Sequence, residues 1–204
     1  MRSMKLFGMI LLFLLIPLGS YADESENTEE EEWGIFVNNP TQENYFALGK
    51  LISQCERGNE ECESLLSPHY TSSQKLFKLV KRGNRKAIDI TFASLEVLDG
   101  GELGDALRSL GYLVETDPEF FLRKVRSHCL SLIVMKKIVG RTPLELTDQF
   151  DLQLRVFQER LKSMSSLQFK DPFISLYKDE SIKNLEERIE FFEKNMKEMM
   201  KLTE

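Results

Sequence analysis

Histidine, cysteine and tryptophan are scarce in this sequence: two, three and one respectively in 204 residues. The scarcity limits chemistry. His69 lies in a Ser-Pro-His-Tyr loop, and His128 stands beside Cys129, where neighbours on a helix point about 100° apart and make a poor nucleophile and base pair. Cys55, Cys62, His69 and His128 do not fall at zinc-ligand spacing, so no metal, cofactor or catalytic residue is expected. No apolar run of membrane length occurs after Leu18, and no stretch alternates as a strand does. Positive charge is not in excess either, since the chain carries a formal charge of −6, which argues against nucleic acid as a partner.

What the N-terminus does have is an export pattern. Arg2 and Lys5 precede a nearly unbroken apolar run from Leu6 to Leu18, and Ser20 and Ala22 supply small residues before a cut. The run is too short to span a bilayer of roughly 30 Å. Residues 1–22 are therefore read as a signal peptide cleaved between Ala22 and Asp23, leaving an exported chain, periplasmic or extracellular, with no stable membrane insertion. Loss of Arg2 and Lys5 makes that chain two charges more negative, and DESENTEEEE at 23–32 holds seven acids and no base. Such a run repels itself and is expected to be a disordered acidic tail. Residues 33–204 suit one domain with one core.

The body of the chain is helical text punctuated by start and stop signals. Asn39-Pro40-Thr41-Gln42, Asp117-Pro118-Glu119 and Thr142-Pro143-Leu144-Glu145 each offer a cap and a proline ahead of an apolar periodic segment. LGKLISQCERGN at 48–59 and LFKLVKRGN at 76–84 both run an amphipathic helix into Arg-Gly-Asn, where glycine ends one helix and asparagine starts the next. This pairing resembles HEAT or armadillo-like helical repeats over residues 38–140, which implies antiparallel helix pairs stacked as a short α-solenoid-like or bundle domain that binds other proteins. Six to eight helices are expected, all-α, with a long amphipathic helix at the C-terminus.

Two stretches ask for a chemical reading. LDGGELGD at 98–105 lies between faces made by Ile88, Phe92, Leu95 and Leu98 and by Leu103, Leu107, Leu110 and Val114. Counted from Asp99, the third and fifth positions of a calcium loop are Gly101 and Leu103, which lack side-chain oxygens, so a corner is expected with Gly100 or Gly101 as the C-cap of the helix before it. Cys55 and Cys62 flank the Gly58 corner and are expected to pair as a disulfide across a hairpin. Cys129, within HCLSLIVMKKIV, is expected to be a buried residue of a central helix.

In the C-terminal segment, Ile182, Leu185, Ile189, Phe192, Met196 and Met199 form a heptad seam. It is expected to pack on the helix of Phe150, Leu154, Phe157 and Leu161 in preference to forming a homodimer. Phe191 flanks the seam, and with Met199 it is a candidate protein-binding residue. Trp33 and Phe36 are candidates too, either as exposed anchors or as a cap over the end of the stack. Together these features predict an exported helical protein–protein interaction module, of inhibitor or immunity type. The alternative from another class is a hydrolase with a dispersed active site.

Overall fold

The computed structural model describes residues 25–54, 70–98 and 100–201, with the side chains of α1 described from Glu32 onward. The signal segment, the Ala22/Asp23 cut, the Cys55/Cys62 pair and His69 lie outside the described residues. Among the described residues there are nine α-helices, one short 3-10 turn and no strand. In chain order they are α1 (Ser25–Asn38), α2 (Gln42–Gln54), α3 (Tyr70–Lys81), α4 (Arg85–Ser94), α5 (Gly100–Thr116), α6 (Pro118–Ser127), α7 (Leu132–Val139), α8 (Phe150–Ser165) and α9 (Pro172–Lys201). No helix among the described residues is long and apolar enough to cross a membrane.

Local chemistry sets the boundaries. The second Arg-Gly-Asn is a corner: Gly83 takes φ +76°, Asn84 N–H donates to the Leu79 carbonyl at 3.0 Å, and the Asn84 side chain then accepts from Ala87 N–H. This closes α3 and opens α4 within two residues. Asp117 accepts from Phe120 N–H with Pro118 in the first turn of α6. The same Asp-Pro device opens α9, where Asp171 accepts from Phe173 and Ile174 N–H at 2.8 and 3.2 Å. Gly100, with φ +44°, and Gly101 begin α5, whereas α4 ends at Ser94 with Leu95 as its C-cap, so neither glycine is the expected C-cap. Thr41 caps α2 by accepting from Asn44 N–H at 3.2 Å, two residues later than the Asn39 cap that the sequence suggests.

Further expectations differ from the structure, beginning with the helix count, which is nine among the described residues against six to eight expected. The acidic run reads as a disordered tail to Glu32, yet α1 begins within it at Ser25. Glutamate is a good helix former, and acids favour the positive end of a helix. The expected Thr142 capping box does not form: the Thr142 hydroxyl donates to Gln153, only the 3-10 turn Leu144–Leu146 follows, without a side-chain cap, and α8 starts at Phe150. Cys129 is exposed, at φ +50°, in the corner between α6 and α7. The apolar text from His128 to Val139 is not one helix. Leu130 N–H donates to Val125 carbonyl at 3.1 Å and Cys129 N–H to Arg126 carbonyl at 3.2 Å, ending α6, and Ser131 caps α7 by accepting from Val134 N–H. Cys129 thus holds the left-handed position usually given to glycine.

Helix α5 is the centre of the fold. It packs against α3, α4, α6, α7 and α8, through Ala106, Leu107, Leu110, Leu113 and Val114. Helix α9 runs across α6, α7 and α8. Its seam residues Leu185 and Phe192 are buried, and the Phe192 ring lies tilted against Phe150 and edge-on to Phe157 of α8 at 5.7 and 5.4 Å. Tyr177 of α9 also donates to the Leu130 carbonyl at 2.9 Å, tying the long helix to the α6–α7 corner. At the other end, α1 packs on α2 and α3, and α2 on α4.

Candidate functional site

The four candidate docking residues occupy different environments. Trp33 and Phe36 are 1% and 0% exposed, on the α1 face that they share with Val37. They serve as core in this fold, where α1 packs on α2 and α3. Phe191 is 61% exposed on α9, and the Met199 side chain lies outside the described residues. Phe150, at 41% exposed, was not singled out as a docking residue from sequence; its ring and that of Phe191 each lie 5.7 Å from the buried ring of Phe192. One filled seam residue is thus bordered by two wet aromatics.

The strongest polar architecture lies where α7 ends. Arg160 of α8 is 0% exposed, and its Nη1 donates to the carbonyls of Val139 and Arg141, both at 2.7 Å. Its Nε and Nη2 donate to Glu115 of α5 at 3.1 and 2.5 Å. Burial pushes this guanidinium below its usual value, and the Glu115 carboxylate opposes the shift. Arg160 thereby joins α5, α8 and the last carbonyls of α7. Gly111 makes that approach possible: a Cβ there would lie 3.1 Å from the Arg141 carbonyl oxygen and 3.2 Å from Arg160 Nη2.

Beyond this buried hub opens a recess of about 390 Å³, lined by Arg108, Lys137, Arg141 and Arg188 among others. Gln153 organises its rim, donating to the Leu146 and Thr147 carbonyls at 2.7 and 2.8 Å while accepting from the Thr142 hydroxyl at 3.2 Å. Arg188 reaches in from α9, its Cζ 5.8 Å from the centre of the Phe157 ring. A Cβ on Gly140 would overlap Nε of Arg188 and sit 2.6 Å from its Cζ, so only glycine leaves room for this placement. Burial, and then the neighbouring Arg141 charge, lowers the Arg188 pKa. A second hollow of about 480 Å³ shares Arg108 and Leu144 with the recess but is mixed in charge, with Asp105, Glu115 and Glu145 on its wall.

A third cluster joins α4 to α6. Asp89 is ion-paired with Lys124, and His128 Nε2 lies 3.6 Å from the same carboxylate. The His128 ring stacks on Phe92 at 5.3 Å and 16°. Burial alone would raise the Asp89 carboxyl, but its contacts with His128 and Lys124 outweigh it and hold the group below the usual range. Burial, with the Asp89 charge second, raises the nearby Tyr45 phenol. His128 is thus packed inward at the edge of the core while Cys129 faces out, so the adjacent pair is divided between two environments. Among the described residues, no group of three or more His, Cys, Asp or Glu is placed to hold a metal.

The Arg160–Glu115 pair was missed from sequence. Its members are 45 residues apart, and nothing in either local pattern marks them as partners. Gly111 and Gly140 gave the only trace, each a glycine inside or ending a helix without a turn that demands it. No protein-family model, curated protein or solved structure matches this chain.

Proposed function

We propose that this chain is an exported helical protein that acts by binding another protein, and that a helical segment of that partner lies along the face shared by α8 and α9. The carrying observation is the pair of exposed rings, Phe150 and Phe191, on either side of buried Phe192. Phe192 already fills the seam between the two helices, so neither flanking ring is needed to close the core. Two long packed helices present the ridge-and-groove surface on which a third helix seats. Covering each aromatic is worth about 1–3 kcal/mol, enough for the two to act as anchors. Export is supported by the short apolar run with Ser20 and Ala22 behind it, and an inhibitor or immunity role fits a small domain without a nucleophile and base pair among its described clusters.

The test is photo-crosslinking from position 191 in the native source, followed by affinity measurement on the protein captured. Phe150→Ser with Phe191→Ser should retain the helical spectrum and weaken binding to that protein at least about tenfold. Equal binding by the double variant overturns the proposal. So does a cross-linked product consisting of two copies of this chain, which would make the face a homodimer seam.

A further inference from the structure

We propose that the recess at the end of α7 binds a small multivalent oxyanion of phosphate or polycarboxylate type. Four cations, Arg108, Lys137, Arg141 and Arg188, line it, and no aspartate or glutamate does. The chain as a whole carries −6, so the cluster runs against the background charge. Arg108 has a partner, Asp105, at 2.6 Å. Lys137, Arg141 and Arg188 form no ion pair among the described residues.

A purely structural account would have these side chains answering the negative end of α7. That end supplies roughly half an elementary charge, against three cations with no ion pair among the described residues. Its carbonyls at Val139, and that of Arg141 just beyond, are already taken by buried Arg160. Packing holds Arg188 at the wall of the recess. Its Nε is buried against Gly140 without a hydrogen-bond partner, so the Nη nitrogens are the donors an anion would meet. The guanidinium is seated there through the space left at Gly140, so the arrangement depends on a specific backbone residue as well as on nearby charge. An oxyanion in the recess would neutralise Arg141 and Arg188 together, in the forked geometry that guanidinium groups offer carboxylate and phosphate. At about 390 Å³ the recess lies toward the lower end of small-ligand pockets, roughly 300–1,000 Å³, and suits a molecule of pyrophosphate or citrate size.

The test is calorimetric titration of the purified chain with pyrophosphate and, separately, with citrate, each against sodium chloride at matched ionic strength. The two probes distinguish a phosphate from a carboxylate ligand. Two variants accompany them: Lys137→Gln with Arg141→Gln, both exposed side chains, and Gly140→Ala, whose added methyl displaces Arg188. Saturable binding of at least one probe is expected, with a rise in melting temperature beyond the salt control. Binding should weaken at least about tenfold, or about 1.4 kcal/mol, in each variant while its circular dichroism stays helical. Affinity weaker than about 1 mM for both probes overturns the proposal. So does binding that Lys137→Gln with Arg141→Gln leaves intact. Lys137→Gln with Arg141→Gln leaves the α8–α9 face untouched, so failure here is separable from failure of the partner-binding proposal.

Discussion

Replacing Arg160 by methionine tests the reasoning at its most exposed point, because the side chain is fully buried and yet holds three parts of the fold. Methionine is of similar length and apolar, so the change removes the four hydrogen bonds while keeping most of the volume. What remains behind is the Val139 carbonyl, the Arg141 carbonyl and the Glu115 carboxylate. An unsatisfied buried acceptor costs about 1–3 kcal/mol, and breaking a buried ion pair from one side costs about 3–5. Two effects reduce the total. Glu115 is about one-fifth exposed and can turn to water, and the variant no longer bears the cost of burying a guanidinium, which the downward shift of the Arg160 pKa reflects. A net loss of about 3 kcal/mol is expected, read as a fall of about 1–2 M in the urea midpoint at an unchanged slope. Glu115→Gln should cost less, and the double variant should cost less than the two singles added, with a coupling above about 1 kcal/mol. A loss below about 0.5 kcal/mol in Arg160→Met, the size of an ordinary surface substitution, would refute the account of Arg160 as the junction.

Other substitutions probe other levels. Gly111→Ala places a methyl against the Arg141 and Ile138 carbonyl oxygens at 3.1 and 3.2 Å, where backbone must give, and should destabilise by about 1–3 kcal/mol in the same urea assay. Because the Asp89 carboxyl titrates lower in the fold than its unfolded value of about 3.9, its stabilising contribution is complete above that pH and is lost as pH falls through the folded value. The stability gap between wild type and Asp89→Asn should therefore be constant near neutrality and close below about pH 4. Trp33→Ala with Phe36→Ala should lower the melting temperature markedly, since truncating a buried aromatic costs about 3–5 kcal/mol; an unchanged melting temperature would remove α1 from the core. Cys129 should react with a maleimide in the folded protein, and Cys129→Gly should gain about 1 kcal/mol by relieving its positive φ; an unreactive thiol would return it to the interior.

Much of the helical plan was legible because it is written locally. Gly83-Asn84 and Asp117-Pro118 end and start helices by contacts that span only a few residues, and the Leu185–Phe192 seam follows from period alone. Trp33, Phe36 and Val37 are spaced as on a helical face, but the first cap signal in the sequence comes after them at Asn39-Pro40, so they read as a cap or as anchors outside any helix. Cys129 misled for the opposite reason: a continuous apolar run cannot show that its backbone turns, and cysteine is an uncommon residue for the left-handed position. The recess was out of reach. Arg108, Lys137, Arg141 and Arg188 come from α5, α7, the following corner and α9, and only packing brings their charges together.

A helix that five others share leaves few places where the molecule can come apart. In a linear array each unit answers only to its neighbours, and loss of structure can travel from one end. Here α3, α4, α6, α7 and α8 all lean on α5, so opening any of them uncovers part of the apolar surface of that one helix. The calorimetric and van't Hoff enthalpies of this part should therefore agree, as they do for a single cooperative unit. Helices α1 and α2 pack chiefly on α3, α4 and each other, which makes them the segment whose amides should exchange with deuterium first, by local opening that leaves the α5 assembly intact.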